Sequence, residues 1–352
     1  MGYMSRHRFE VLDALRGVAS AFVLFFHVER DTRFATYYFQ SGYLAVDFFF
    51  MLSGFVIACS YEEKLLDGLP LRSFFVTRVI RLYPLVLVAS CLGLLAWHLN
   101  GNVEPYWFAI FLSQVLVLPF WPSALSIFRL DGAEWSLFFE MAVNLAYAAT
   151  IRWLSDGIVW LVIVVSAIAL VAAARIHYSV ELGWGPANFW WGVPRTTFSF
   201  FAGVMLWRLW QSERLPRIER HWTIVACGLA AIFLAAGSLG IVLRWAGDLF
   251  VVFFVFPLVV WVAAGSRMGG RFAGLGTALG ALSYPVYILH GPLRSLLAPV
   301  LGPPSQQGLW SILAVIGFVW LASYVLLKYY DEPVRAFLKK RREAFKSRFG
   351  TA

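Results

Sequence analysis

The chain has 352 residues, 60% hydrophobic and 18% aromatic, with only 14% charged and a formal net charge of +9. Soluble domains carry about a quarter charged residues, so this composition, with a mean hydropathy of +0.71, excludes an ordinary water-soluble enzyme. Cys59, Cys91 and Cys227 lie in apolar stretches with no CxxC pair, and they read as small core residues, not as a disulfide framework or a metal site.

A membrane crossing needs about 20 apolar residues. Ten segments meet that expectation: 11–29, 42–60, 74–98, 134–151, 157–175, 195–211, 222–243, 246–264, 277–298 and 309–329. The expected fold is therefore all-α, a polytopic transmembrane bundle of about ten spans. It forms a single membrane-embedded domain over 1–352, with 330–352 a short basic tail. The first apolar run follows the basic start at 6–8 and has no small-residue cleavage motif after it, so it reads as a span and not as a cleaved signal. An eleventh stretch, 106–122, is short and broken by Pro119 and Pro122. Ten crossings put both termini and the basic run 208–220 in the cytoplasm, as the positive-inside rule requires; the stretch 106–122 is then interfacial or re-entrant on the outer side. The basic tail reads as a topology signal in contact with membrane lipid, not as a nucleic-acid-binding segment.

Chemistry-bearing residues recur inside these segments. In "LDALRGVASAFVLFFH", Arg16 and His27 are eleven residues apart, which on a helix is three turns plus roughly 20°, so both project from one face about 16 Å apart. Ionisable side chains in a span are costly and face a cavity or a partner. "GYLAVDFFFMLSGF" places Asp47 inside a span, where it needs a partner, and Ser53 beside Gly54, which permits close backbone approach. Arg78 and Arg81 in "RVIRLYP" are neighbours on one helical face and suit bidentate binding of phosphates. "EWSLFFEMAVN" carries Trp135 and Ser136, with Glu140 and Asn144 four apart on one face. "LSYPVYILH" brings Ser283, Tyr284, Tyr287 and His290 together near the end of a span, preceded by Gly276 and Gly280 at a spacing suited to helix packing.

In this order and at these separations, the motifs resemble those of the acyltransferase family 3 integral membrane proteins over essentially the whole chain. The resemblance implies a multi-pass protein of the cell (inner) membrane. Such a protein moves an acetyl or similar acyl group from cytoplasmic acyl-CoA to a hydroxyl of a surface polysaccharide, lipopolysaccharide or other glycan. Arg16 and His27 match the family's Arg-x10-His motif, and Arg78 and Arg81 its Arg-x-x-Arg motif beside the acyl-CoA. Asp47, Ser53, Trp135, Ser136, Glu140, Ser283, Tyr284 and His290 match other recurrent positions. "DEP" at 331–333 resembles the family's ending after the last span. The expected chemistry has His27 as base, oriented by Asp47 or Glu140, with Arg78, Arg81 and Arg16 holding the donor. It calls for acyl-CoA as co-substrate and for no tightly bound cofactor or metal. A secondary transporter or flippase for an envelope precursor is the alternative, but no second half mirrors the first.

Overall fold

The computed structural model describes residues 9–31, 38–122, 126–214, 216–237, 241–302 and 307–349. The basic stretch 6–8 and parts of the loops 30–41 and 299–308 lie outside the described residues.

The described chain is helical, apart from one isolated bridge between His221 and Arg267. Its first half comprises α1 (Glu10–Asp31), α2 (Ala45–Leu66), α3 (Leu71–Leu99), α4 (Trp107–Val115) and α5 (Glu134–Thr150). After these come α6 (Asp156–His177), α7 (Gly192–Gln211), α8 (Trp222–Gly237) and α9 (Ile241–Phe250). A wide π turn at Val251–Val255 joins α9 to α10 (Phe256–Gly265), whose first turn carries Pro257. Proline has no N–H to return to the preceding turn, and the widened turn lets the helix continue past it. Then come α11 (Ala273–Leu301), α12 (Leu309–Leu326) and, after a second π turn at Leu327–Asp331, α13 (Glu332–Phe349).

Ten spans were expected, but six described helical stretches are long and apolar enough to cross a membrane. They are Glu10–Arg30, Gly42–Leu66, Leu71–Leu99, Asp156–His177, Arg244–Gly265 and Leu309–Phe345. The other four expected spans fall short for physical reasons. Helix α5 has 17 residues and carries Glu134, Glu140 and Asn144, and α8 has 16 residues. Helices α7 and α11 are long enough, but Arg195, Arg208 and several hydroxyls dilute α7, and glycines, prolines, Ser283, His290 and Arg294 dilute α11. The loop-by-loop sidedness built on ten crossings falls with that count. Helix α4, at nine residues, is roughly 13 Å long and too short to cross. The cysteines also depart from expectation: Cys91 and Cys227 are exposed and only Cys59 is partly buried.

Two reciprocal close approaches organise the bundle. A Cβ on Gly54 of α2 would lie 1.9 Å from the Phe200 carbonyl oxygen of α7, and one on Gly203 of α7 would lie 2.0 Å from the Met51 carbonyl oxygen. Likewise Gly17 of α1 would press the Leu279 backbone at 2.4 Å, and Gly280 of α11 would press Asp13 at 2.9 Å. Small residues let these backbones meet where lipid tails offer no hydrophobic drive to bring helices together. The α1–α11 pair extends to α3 and α12, and the α2–α7 pair extends to α6. Helix α5 bridges the two groups, and the polar residues of the sequence motifs collect along this junction.

Candidate active site

Two adjoining recesses divide those residues. The first encloses about 760 Å³ of space, part of it open to the outside, between α1, α2, α3, α5 and α11. Its polar lining includes Arg16, Arg78, Arg81, Ser53, Ser136 and Glu140, with Ser283, Tyr284 and Tyr287 from α11. Arg78 is 5% exposed and donates from Nη2 to Glu140 Oε1 at 2.9 Å, while the Ser53 hydroxyl donates to the same oxygen at 3.0 Å. Glu140 thereby ties α2 and α3 to α5. Arg16 pairs with Asp13 at 2.7 Å, and Arg81 has exposed surface. Three guanidiniums thus meet two carboxylates, Glu140 and Asp13, and the recess stays positive. The Tyr284 hydroxyl donates to the Leu82 carbonyl at 2.8 Å and the Ser283 hydroxyl to the Gly280 carbonyl at 2.8 Å, fixing α11 against α3 and against its own preceding turn. Asn144, one turn beyond Glu140, is buried outside this lining.

The second recess, about 930 Å³ and also partly open, is lined by His27, Asp131, His290, Arg294, Ser295 and Gln307, among others. The rings of His27 and His290 lie 4.9 Å apart. His290 Nδ1 donates to the Tyr287 carbonyl at 2.6 Å, so a neutral His290 ring keeps Nε2 as an acceptor.

One wall separates the two recesses. The first turn of α5 gives Ser136 to the arginine side and Ala133, just before that helix, faces the histidine side, while α11 gives Tyr287 to one and His290 to the other. The wall is tied by the Tyr287 and Ser136 hydroxyls, 2.5 Å apart, one donating to the other, with the Ala133 carbonyl at 3.4 and 3.1 Å placed to accept the remaining proton. Arg16 and His27 share a helix face as expected, yet they open on opposite sides of this partition.

Neither carboxylate expected to orient His27 is placed on it. Glu140 sits with Arg78 and Ser53. Asp47 is fully buried against Arg195, which donates from Nε at 2.9 Å and Nη2 at 2.7 Å to its two oxygens. Arg195 also donates to the Leu182 and Tyr43 carbonyls, at 2.9 and 3.0 Å, and its guanidinium lies 5.3 Å from the Trp135 ring centroid. Asp47, Arg195 and Trp135 therefore form a buried cluster outside both linings. Sequence reasoning named no partner for Asp47; the signal was Arg195 itself, a second charge inside an apolar segment. It also missed Asp131 and Gln307, which lie in or beside loops, and Arg294, although that residue stands four after His290 on α11 and so on the same helical face.

A family profile described as "Acyltransferase domain" matches residues 9–328. "Protein 2 in picA locus" of Rhizobium radiobacter is 38% identical over 194 residues, covering 47% of this chain and 95% of that protein. The peptidoglycan O-acetyltransferase OatA of Listeria monocytogenes is 22% identical over 366 residues, 94% of this chain but 56% of that protein, so this chain spans about half its length. The exopolysaccharide production protein ExoZ of Rhizobium meliloti is 25% identical over 320 residues, 87% of this chain and 93% of that protein. No solved structure matches.

Proposed function

The chain belongs to the acyltransferase family whose profile it matches over residues 9–328, and on that premise we propose that it transfers an acetyl group from acetyl-CoA to a sugar hydroxyl of an envelope glycan. At the family level it is a multi-pass membrane acyltransferase using an acyl-CoA-like donor; the acetyl group and the sugar hydroxyl are the proposal. One observation carries it: a cluster of guanidiniums and an imidazole occupy adjoining recesses with a shared wall.

Coenzyme A bears a diphosphate and a ribose phosphate, which guanidiniums bind with charge-assisted, often bidentate hydrogen bonds. Arg78, Arg81 and Arg16 supply them. The rest of that recess is largely apolar, with Val46, Phe49, Val56, Ile57, Leu82 and Ile288, which suits the slender pantetheine arm. The acyl end reaches the histidine recess past the Tyr287–Ser136 pair. There the acceptor hydroxyl gives its proton to His27 while its oxygen attacks the thioester carbon. The carbon–sulfur bond breaks, the imidazolium returns the proton to the leaving sulfur, and free CoA and an ester remain. Glu140 holds Arg78 in place, and the Asp47–Arg195–Trp135 cluster supports α2, α5 and α7 around the site.

Purified protein in lipid nanodiscs, given acetyl-CoA and the surface glycan fraction of its host, should release CoA thiol and add acetyl esters to the glycan by mass. Thiol release without an ester, or neither product, would overturn the assignment.

A further inference from the structure

The buried carboxylates near the site have partners: Asp47 holds Arg195, Glu140 holds Arg78, and Glu134 accepts from Gln114 and Ser90. Asp131 differs. It is 1% exposed and lines the His27 recess. Its Oδ1 accepts the Ala133 N–H at 3.0 Å, while its Oδ2 is buried with no hydrogen-bond partner among the described residues. A buried acceptor left empty is costly, and such a group calls for an explanation.

The surroundings hold this carboxyl in place. The amide of Gln114 on α4 receives the Leu130 N–H at 3.0 Å and donates to Glu134, clamping the loop between them. A Cβ on Gly93 would meet the Leu130 carbonyl at 2.4 Å, so only glycine on α3 lets the loop come this close. Beside it, a Cβ on Gly291 of α11 would lie 3.1 Å from Asp131 Oδ1, so the glycine keeps α11 from crowding the carboxyl.

We propose that Asp131 is an acceptor-binding residue. Its unpaired Oδ2 receives a hydrogen bond from one hydroxyl of a polyhydroxylated acceptor while an adjacent hydroxyl gives its proton to His27. The proposal rests on the functional reading above and adds the chemical class of the acceptor, a neutral polyol with neighbouring hydroxyls. The remaining polar lining, Ser295 and Gln307 with Arg294 and His290, offers both donors and acceptors, as a sugar requires. Burial pushes the Asp131 carboxyl up to about 7, so near neutral pH it serves either as acceptor or as donor towards a hydroxyl.

Host cells lacking their own copy, complemented with the full chain or its variants at equal protein level, provide the test. The readouts are acetyl ester content of the surface glycan and the rate at which diethyl pyrocarbonate modifies His27 in the purified proteins. Asp131→Ala should lower glycan acetylation about tenfold or more with His27 modification unchanged. Asp131→Asn keeps the bond to the Ala133 N–H and offers an amide to the acceptor, so it should restore part of the loss. Wild-type acetylation by Asp131→Ala would overturn the proposal. So would altered His27 modification in both variants, which would assign Asp131 to the imidazole or the fold. If His27→Ala acetylates normally, the functional reading itself fails and this proposal falls with it.

Discussion

Replacing His27 with glutamine should lower acyl transfer about a thousandfold, within the 10²–10⁴ range of a positioned general base, with folded protein at wild-type yield. An acceptor hydroxyl is a poor nucleophile at neutral pH because it holds its proton, and a neutral imidazole offers the ring nitrogen that removes it. His27 opens into a recess, and its ring neighbours are Phe26 and His290. Glutamine fills similar space without a proton-accepting nitrogen, so the loss should fall on transfer and not on the fold. His290 keeps Nε2 as an acceptor, but its ring lies 4.9 Å from that of His27, and a base displaced by even about 1 Å loses about a hundredfold, so His27→Gln should leave acetylation close to that of the empty host. Glycan acetylation at the wild-type level would remove His27 from the mechanism.

Breaking the Asp47–Arg195 pair should have the largest effect on stability. Asp47→Ala leaves a guanidinium that is 1% exposed, with the Leu182 and Tyr43 carbonyls as its hydrogen-bond partners among the described residues. Removing one member of a buried pair costs about 3–5 kcal/mol, a large share of the roughly 5–15 kcal/mol that holds a typical domain together. Thermal unfolding in detergent and monodispersity on size exclusion should both deteriorate sharply. Replacing both residues with apolar ones, Asp47→Leu with Arg195→Met, removes the stranded charge and should recover much of the folded protein, though the Leu182 and Tyr43 carbonyls lose their donor. The double variant also separates structure from chemistry. Acyl transfer by the recovered protein should stay close to that of wild type, because both side chains lie outside the two recess linings. Recovered folding without activity would mean that Asp47 takes part in the reaction.

The helical class, the cost of Asp47, the shared face of Arg16 and His27 and the adjacency of Arg78 and Arg81 were legible because each depends on local periodicity or on a single side chain. The partners were not. Asp47 meets a residue 148 positions away, and the partition between the recesses depends on Ser136 meeting Tyr287 across 151 positions. No helical repeat encodes either contact. The span count went wrong for a related reason. Windows of apolarity in α5, α7 and α11 look like crossings, but these helices spend their polar residues on inward contacts, and α5 and α8 are also short. Gly54 and Gly280 read correctly as points of close packing, although the facing residues, Phe200 and Asp13, emerge only from the fold. Asp131 lay in a stretch without periodicity, where a sequence offers no face to assign.

In the proposed mechanism, a thioester held by the arginines reaches position 27 across the Tyr287–Ser136 wall. Treating the His27→Cys protein with bromoacetyl-CoA measures this directly, since a thiol at that position displaces bromide and keeps the CoA adduct, visible by mass. Alkylation at position 27 that is blocked by free CoA and lost in Arg78→Ala with Arg81→Ala is the predicted result. A thiol at position 27 that reacts with the small reagent bromoacetamide but not with bromoacetyl-CoA would show that the two recesses do not communicate, and would contradict the account.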